Sequence, residues 1–115
     1  MSDIQELVEK IKKFRDERDW MQFHSHKDMA ISLALEAAEV LEHFQWKSTK
    51  EIEEYVEKNK EEISEELADV AIYLLELADN IGVDLINAAE KKLAKNAEKY
   101  PVDKAMGKHT KYNKL

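Results

Sequence analysis

Two pairs of acids stand three residues apart inside the two most apolar stretches of the chain: Glu36 with Glu39, and Glu66 with Asp69. Between Met29 and Leu41 the only polar residues are Ser32, Glu36 and Glu39. Between Leu67 and Ala78 the only ionisable side chains are Asp69, Tyr73 and Glu76. A carboxylate set unpaired among apolar neighbours is costly, or it takes up a proton instead. Acids are kept in such places for a cation partner or for catalysis. Carboxylates at i and i+3 on each of two facing helices make a four-acid cage, and all-oxygen ligation of that kind suits Mg²⁺, with Mn²⁺ as the alternative.

Other metal chemistries fit less well. A di-iron bundle of the ferritin type needs Glu-x-x-His on two helices, and no His here lies three residues after a Glu. A zinc hydrolase calls for a His-rich ligand set, whereas His24 and His26 fall in an expected loop away from the acids. A hard-cation site leaves positions open for phosphate oxygens, so a polyphosphate is its natural ligand. Trp20, Phe23, His24, Phe44 and Trp46 flank the two ends of the 29–41 stretch, and flat side chains there are suited to stacking on a nucleobase. Core or interface packing is the competing reading of these aromatics.

The acids need helices to aim them. At about 100° per residue, Ser32, Glu36, Glu39 and His43 share one stripe, and Glu62, Glu66, Asp69 and Tyr73 share another beside a Leu67/Ala71/Leu74 core face. Glu65 and Glu76 are expected on a more exposed flank. An ordinary solvated position suits Glu62 and Glu65 better than Glu36 and Glu39, whose neighbours leave no wide polar face. Five helices are expected. The first runs from Asp3 to Arg18, opened by a Ser2/Gln5 capping box, with Ile4, Leu7, Val8, Ile11 and Phe14 as its apolar stripe. The second spans His26 to Phe44 and is capped by Ser25. A short third runs from Glu51 to Lys58 after Ser48. The fourth runs from Lys60 to Asn80 and stops at Gly82. The fifth starts at Asp84 and ends before Pro101.

Composition agrees with an all-α protein. The chain has 115 residues, two Gly, one Pro, no Cys, 37% charged residues and a net charge of −7. This length suits one modest core, and no disulfide or Cys-based zinc site can form. Excess negative charge argues against binding nucleic acid through its phosphates. The apolar stretch 29–41 is too short to span a membrane. Ser2 and Asp3 after Met1 are not the start of a signal peptide, so a cytoplasmic location is expected. The expected domain is 1–101, followed by a basic, mobile tail, 102–115, with Lys104, Lys108, Lys111 and Lys114.

Taken in order, these motifs resemble a known family. Arg18-Asp19-Trp20-Met21-Gln22-Phe23-His24, Glu36-Ala-Ala-Glu39, Phe44-Gln45-Trp46 and Glu66-Leu-Ala-Asp69-Val-Ala-Ile-Tyr73 are similar to the MazG-like, all-α nucleotide pyrophosphohydrolases, in their dCTP pyrophosphatase branch. A 26-residue spacer, 40–65, separates the two acid pairs. Asn96 and Lys99-Tyr100-Pro101 also match, so the resemblance covers about residues 14–101.

The resemblance implies Mg²⁺-dependent hydrolysis of a nucleoside triphosphate between its α and β phosphates, releasing a monophosphate and pyrophosphate, with dCTP preferred. It implies that Glu36, Glu39, Glu66 and Asp69 hold the metal and carry the catalysis. Trp20, His24, Trp46 and Tyr73 would then contact base and sugar, and Lys92 and Asn96 would lie near the phosphates. It further implies a four-helix-bundle-like core assembled as a homodimer or homotetramer. The nearly all-round apolar 26–44 helix points the same way, since one small chain cannot cover it. The alternatives are a dUTP-type or broad-specificity nucleotide hydrolase on the same scaffold, or a non-enzymatic helical interaction module.

Overall fold

The computed structural model describes residues 2–115, and these are helical with connecting turns. The helices are α1 (Asp3–Glu17), α2 (His26–Glu42), α3 (Thr49–Ile81), α4 (Leu85–Lys99) and α5 (Val102–Ala105), with single 3-10 turns at Met21–Phe23 and Tyr112–Lys114. The chain divides into two compact units, one ending at Gly82 and the other covering Val83–Leu115.

The caps form where the sequence places them. Ser2 and Gln5 make a reciprocal capping box. Ser25 accepts from the Asp28 amide, Ser48 from the Glu51 amide and Asp84 from the Asn87 amide. Each supplies an acceptor to one of the amides that a helix start leaves unpaired. Gly82 ends α3 in the left-handed region, φ 86°, a conformation that a Cβ makes costly.

The break inside α3 and one added turn have simple causes. The expected break between the short helix 51–58 and the helix 60–80 is present as a kink in α3 at Asn59, whose φ of −119° and ψ of 24° are not helical. No Gly or Pro interrupts this stretch. Asn59 Nδ2 donates to the Tyr55 carbonyl at 3.0 Å and Ser64 Oγ to the Lys60 carbonyl at 2.8 Å, so carbonyls near the bend keep partners while the helix continues. A further turn, α5, follows Pro101, whose φ of −57° is preset for starting a helix. In the same unit Tyr112 meets Tyr100 edge-on at 6.1 Å, and Lys99 lies 4.8 Å from the Tyr112 ring.

In the first unit both α1 and α2 pack on α3. A short connection folds α3 back along α2, so α2 positions rise as their α3 partners fall: Ser32 meets Tyr73, and His43 meets Glu66 and Tyr55. The buried apolar residues are Ile11, Met29, Ile63, Leu75 and Ala78. This core is small. Leu35 is 61% exposed and Leu67 52%, and Ile31, Leu41 and Leu74 are also open. The Leu67/Ala71/Leu74 face, expected in the core, is therefore uncovered in the single chain; Ile63 and Leu75, to either side of it on α3, hold the packing instead. The α1 stripe is likewise buried only at Ile11, with Ile4, Leu7 and Phe14 exposed.

Candidate active site

The antiparallel register of α2 and α3 brings the two acid pairs face to face. Glu36 Oε2 and Glu66 Oε2 are both buried, and neither has a hydrogen-bond partner among the described residues. Glu66 Oε2 does lie in direct ion-pair contact with His43 Nε2, without hydrogen-bond alignment. His43 Nδ1 in turn contacts the Tyr55 hydroxyl, so one ring at the end of α2 bridges α3 on both sides of the Asn59 bend. Buried polar atoms in folded proteins nearly always have partners, so the unpartnered Glu36 Oε2, facing a Glu66 oxygen met by His43 alone, leaves a groove suited to a cation.

The electrostatics point the same way. The Glu36 carboxyl is held above the usual carboxylate range, first by burial, then by the charge of Glu39 and a hydrogen bond with it, and then by the charges of Asp69 and Glu66. The other three acids therefore all act on Glu36. A raised folded-state value means that the folded protein binds this proton more tightly than the unfolded chain. Glu36 thus favours folding in acid, and its contribution is lost as pH rises through the raised value. The Tyr73 phenol is also pushed up, by burial first and then by Glu36, Asp69 and Glu76, while a hydrogen bond with Ser32 opposes the shift. It stays a neutral hydroxyl between the helices. Among the described residues, no three His, Asp or Glu side chains converge closely enough to make a ready chelate; Glu39 and Asp69 are the solvent-facing members of the quartet.

The structure places the aromatics and the remaining residues unevenly. His24 is half-buried, with Nδ1 2.7 Å from Glu76 Oε2. Trp20 packs edge-on against Phe14 at 5.6 Å and is 42% exposed. Trp46 is 87% exposed. The two tryptophans flank opposite ends of the 17-residue α2, a helix about 25 Å long, so one base cannot lie between both within a single chain. Lys92 and Asn96 lie on α4, in the other unit.

One expectation is overturned. Glu76, assigned to the exposed flank, is 3% exposed. It sits with Arg15, which is 7% exposed, and with His24 and Asn80. The signal was in the spacing. Glu66, Asp69, Tyr73, Glu76 and Asn80 step by three or four along one face of α3, and Arg15 follows Ile11 by four on the packed face of α1.

The site is thus a two-helix acidic groove in an all-helical protein, with carboxylates suited to hold a hard cation and a tyrosine and a histidine further along it. Residues 31–115 match the model of the MazG-like family, and the chain belongs to that family. It is 40% identical over 105 residues to dCTP pyrophosphatase 1 of Rattus norvegicus and 37% identical to that of Homo sapiens; each match covers 90% of this chain. The chain spans 62% of the length of these relatives. A crystal structure of a pyrophosphatase from Archaeoglobus fulgidus is also similar, with a TM-score of 0.84 and 43% identity over 88% of this chain and 94% of that one. The resemblance read from the ordered motifs and the all-α fold read from the periodicity are both borne out.

Proposed function

We propose that this chain is a nucleoside triphosphate pyrophosphohydrolase that cleaves dCTP between its α and β phosphates to dCMP and pyrophosphate, acting on the cytoplasmic nucleotide pool. The observation that carries this reading is the acid groove between facing helices, in which Glu36 Oε2 is buried without a partner and Glu66 Oε2 is met by His43. The names of the relatives, dCTP pyrophosphatase 1 and a pyrophosphatase, support it.

Glu36, Glu39, Glu66 and Asp69 would hold Mg²⁺. When bound, the cation neutralises phosphate charge and makes an attacking water more acidic. The protein's own part is mostly positioning and proton handling. Water oxygen attacks the α phosphorus, the bond from that phosphorus to the bridging oxygen breaks, and pyrophosphate leaves. The water's proton goes to the Glu36/Glu39 pair, where the charge of Glu39 one turn away on α2 raises the proton affinity of Glu36. Tyr73, held between Ser32 and the acids, donates its hydroxyl to the sugar or phosphate end of the substrate. Lys92 and Asn96 are assigned to the phosphates on the family pattern alone.

A homo-oligomer completes this reading. Ile31, Leu35, Leu67 and Leu74 would be covered by a second copy. A base stacked by both Trp20 and Trp46 would then lie between subunits, since within one chain the two rings are too far apart.

Metal-dependent stability tests the reading against the non-enzymatic module. Without metal the like charges of the groove oppose folding, and a bound cation relieves them. Adding Mg²⁺ should raise the melting temperature of the parent at neutral pH. Glu36→Gln, with one charge fewer, should melt higher than the parent without metal and gain less from Mg²⁺. Identical melting curves with and without Mg²⁺ for both proteins would favour the module.

A further inference from the structure

The buried acid outside the quartet, Glu76, holds a histidine rather than facing a metal site. Glu76 Oε2 lies 2.7 Å from His24 Nδ1, accepts from Asn80 Nδ2 at 3.3 Å and stands 3.8 Å from Arg15 Nη1. Arg15 donates to Asn80 Oδ1 at 3.2 Å and is anchored on Asp16 at 2.8 Å. Asn80 Nδ2 donates to this same Glu76 oxygen and the Arg15 guanidinium stands nearby, so Glu76 Oε2 serves as an acceptor here. His24 Nδ1 is therefore the donor to Glu76, and in the neutral ring that tautomer leaves Nε2 with a free lone pair. The only hydrogen bond of the His24 ring among the described residues is at Nδ1, and its side chain is 18% exposed, which leaves Nε2 for a ligand.

Position makes this relevant to substrate. Glu76 lies on the same α3 stripe as Glu66, Asp69 and Tyr73, seven residues beyond Asp69. That is about 10 Å along the helix, comparable to the reach from the α phosphate of a nucleotide to its base. We infer that Glu76 is a positioning residue that fixes the His24 tautomer, so that the open Nε2 accepts from a 4-amino pyrimidine and rejects a 4-oxo one. Cytosine presents an amino donor at C4, whereas uracil and thymine present an acceptor oxygen. A lone pair accepts from the first and faces another lone pair in the second, and a site left with such an unpaired polar contact discriminates strongly. This rests on the nucleotide-hydrolase reading above.

The test has two arms, both on the full chain. In the first, long-range ¹H–¹⁵N correlation of ring nitrogens at about pH 8, above the ordinary imidazole value, is assigned by comparison with His24→Gln. The expected signature is a neutral His24 ring with its hydrogen on Nδ1; an Nε2–H tautomer or a persisting imidazolium overturns the inference, with no variant needing to fold. In the second arm, kcat/KM for dCTP and dUTP is compared in the parent, Glu76→Ala and Glu76→Gln. Glu76→Ala should lower the dCTP-to-dUTP ratio at least about tenfold. Glu76→Gln, which keeps an acceptor oxygen, should restore most of it. An unchanged ratio in a folded Glu76→Ala overturns the inference while leaving the hydrolase reading intact. A parent that hydrolyses no nucleoside triphosphate fails that reading itself, and the specificity role falls with it.

Discussion

Glu66→Gln should cut turnover at least about a hundredfold. The substitution keeps the shape of the side chain and removes the charge of a carboxylate whose Oε2 is buried opposite Glu36. Glu36→Gln, Glu39→Gln and Asp69→Asn should fall comparably, because the charges of Glu39, Asp69 and Glu66 converge on Glu36. Glu65→Gln is the control, since Glu65 is exposed beside the stripe and surface substitutions of this kind are near neutral. Steady-state kinetics at saturating Mg²⁺ checks the series. If Glu65→Gln costs as much as Glu66→Gln, the acids do not act as one site.

Trp46→Ala should raise KM for dCTP roughly ten- to a hundredfold, the cost of about 1–3 kcal/mol of base stacking. Trp46 is 87% exposed in the single chain, so its removal should leave the melting temperature of the fold nearly unchanged and the binding loss is cleanly read. Trp20→Ala should show a similar KM effect together with a lower melting temperature, because Trp20 also packs on Phe14. Substrate-saturation curves with parallel thermal melts separate the two. An unaltered KM in Trp46→Ala would remove it from the base pocket.

Much of the site was legible because helix chemistry is local. Ser2, Ser25, Ser48, Asp84 and Gly82 mark helix ends by side-chain type alone, and each performs its capping role. The i, i+3 acids in apolar stretches pointed to the groove that α2 and α3 form between them. What sequence could not settle was tertiary. Glu76 looked solvated because its partners, Arg15 and His24, are distant in sequence, and only packing of α1 against α3 brings them together. The apolar face of Leu67 and Leu74 was assigned to the core, yet one chain leaves it open; periodicity reports that a face must be covered and not by which molecule.

The central claim is that the acid groove directs water to the α phosphorus of a nucleoside triphosphate. Incubating the parent with dCTP and Mg²⁺, and quantifying pyrophosphate, orthophosphate, dCMP and dCDP separately, tests it most directly. The account predicts equal amounts of dCMP and pyrophosphate, no orthophosphate, and no turnover after chelation by EDTA. Orthophosphate with dCDP would place the attack at the terminal phosphate and contradict it.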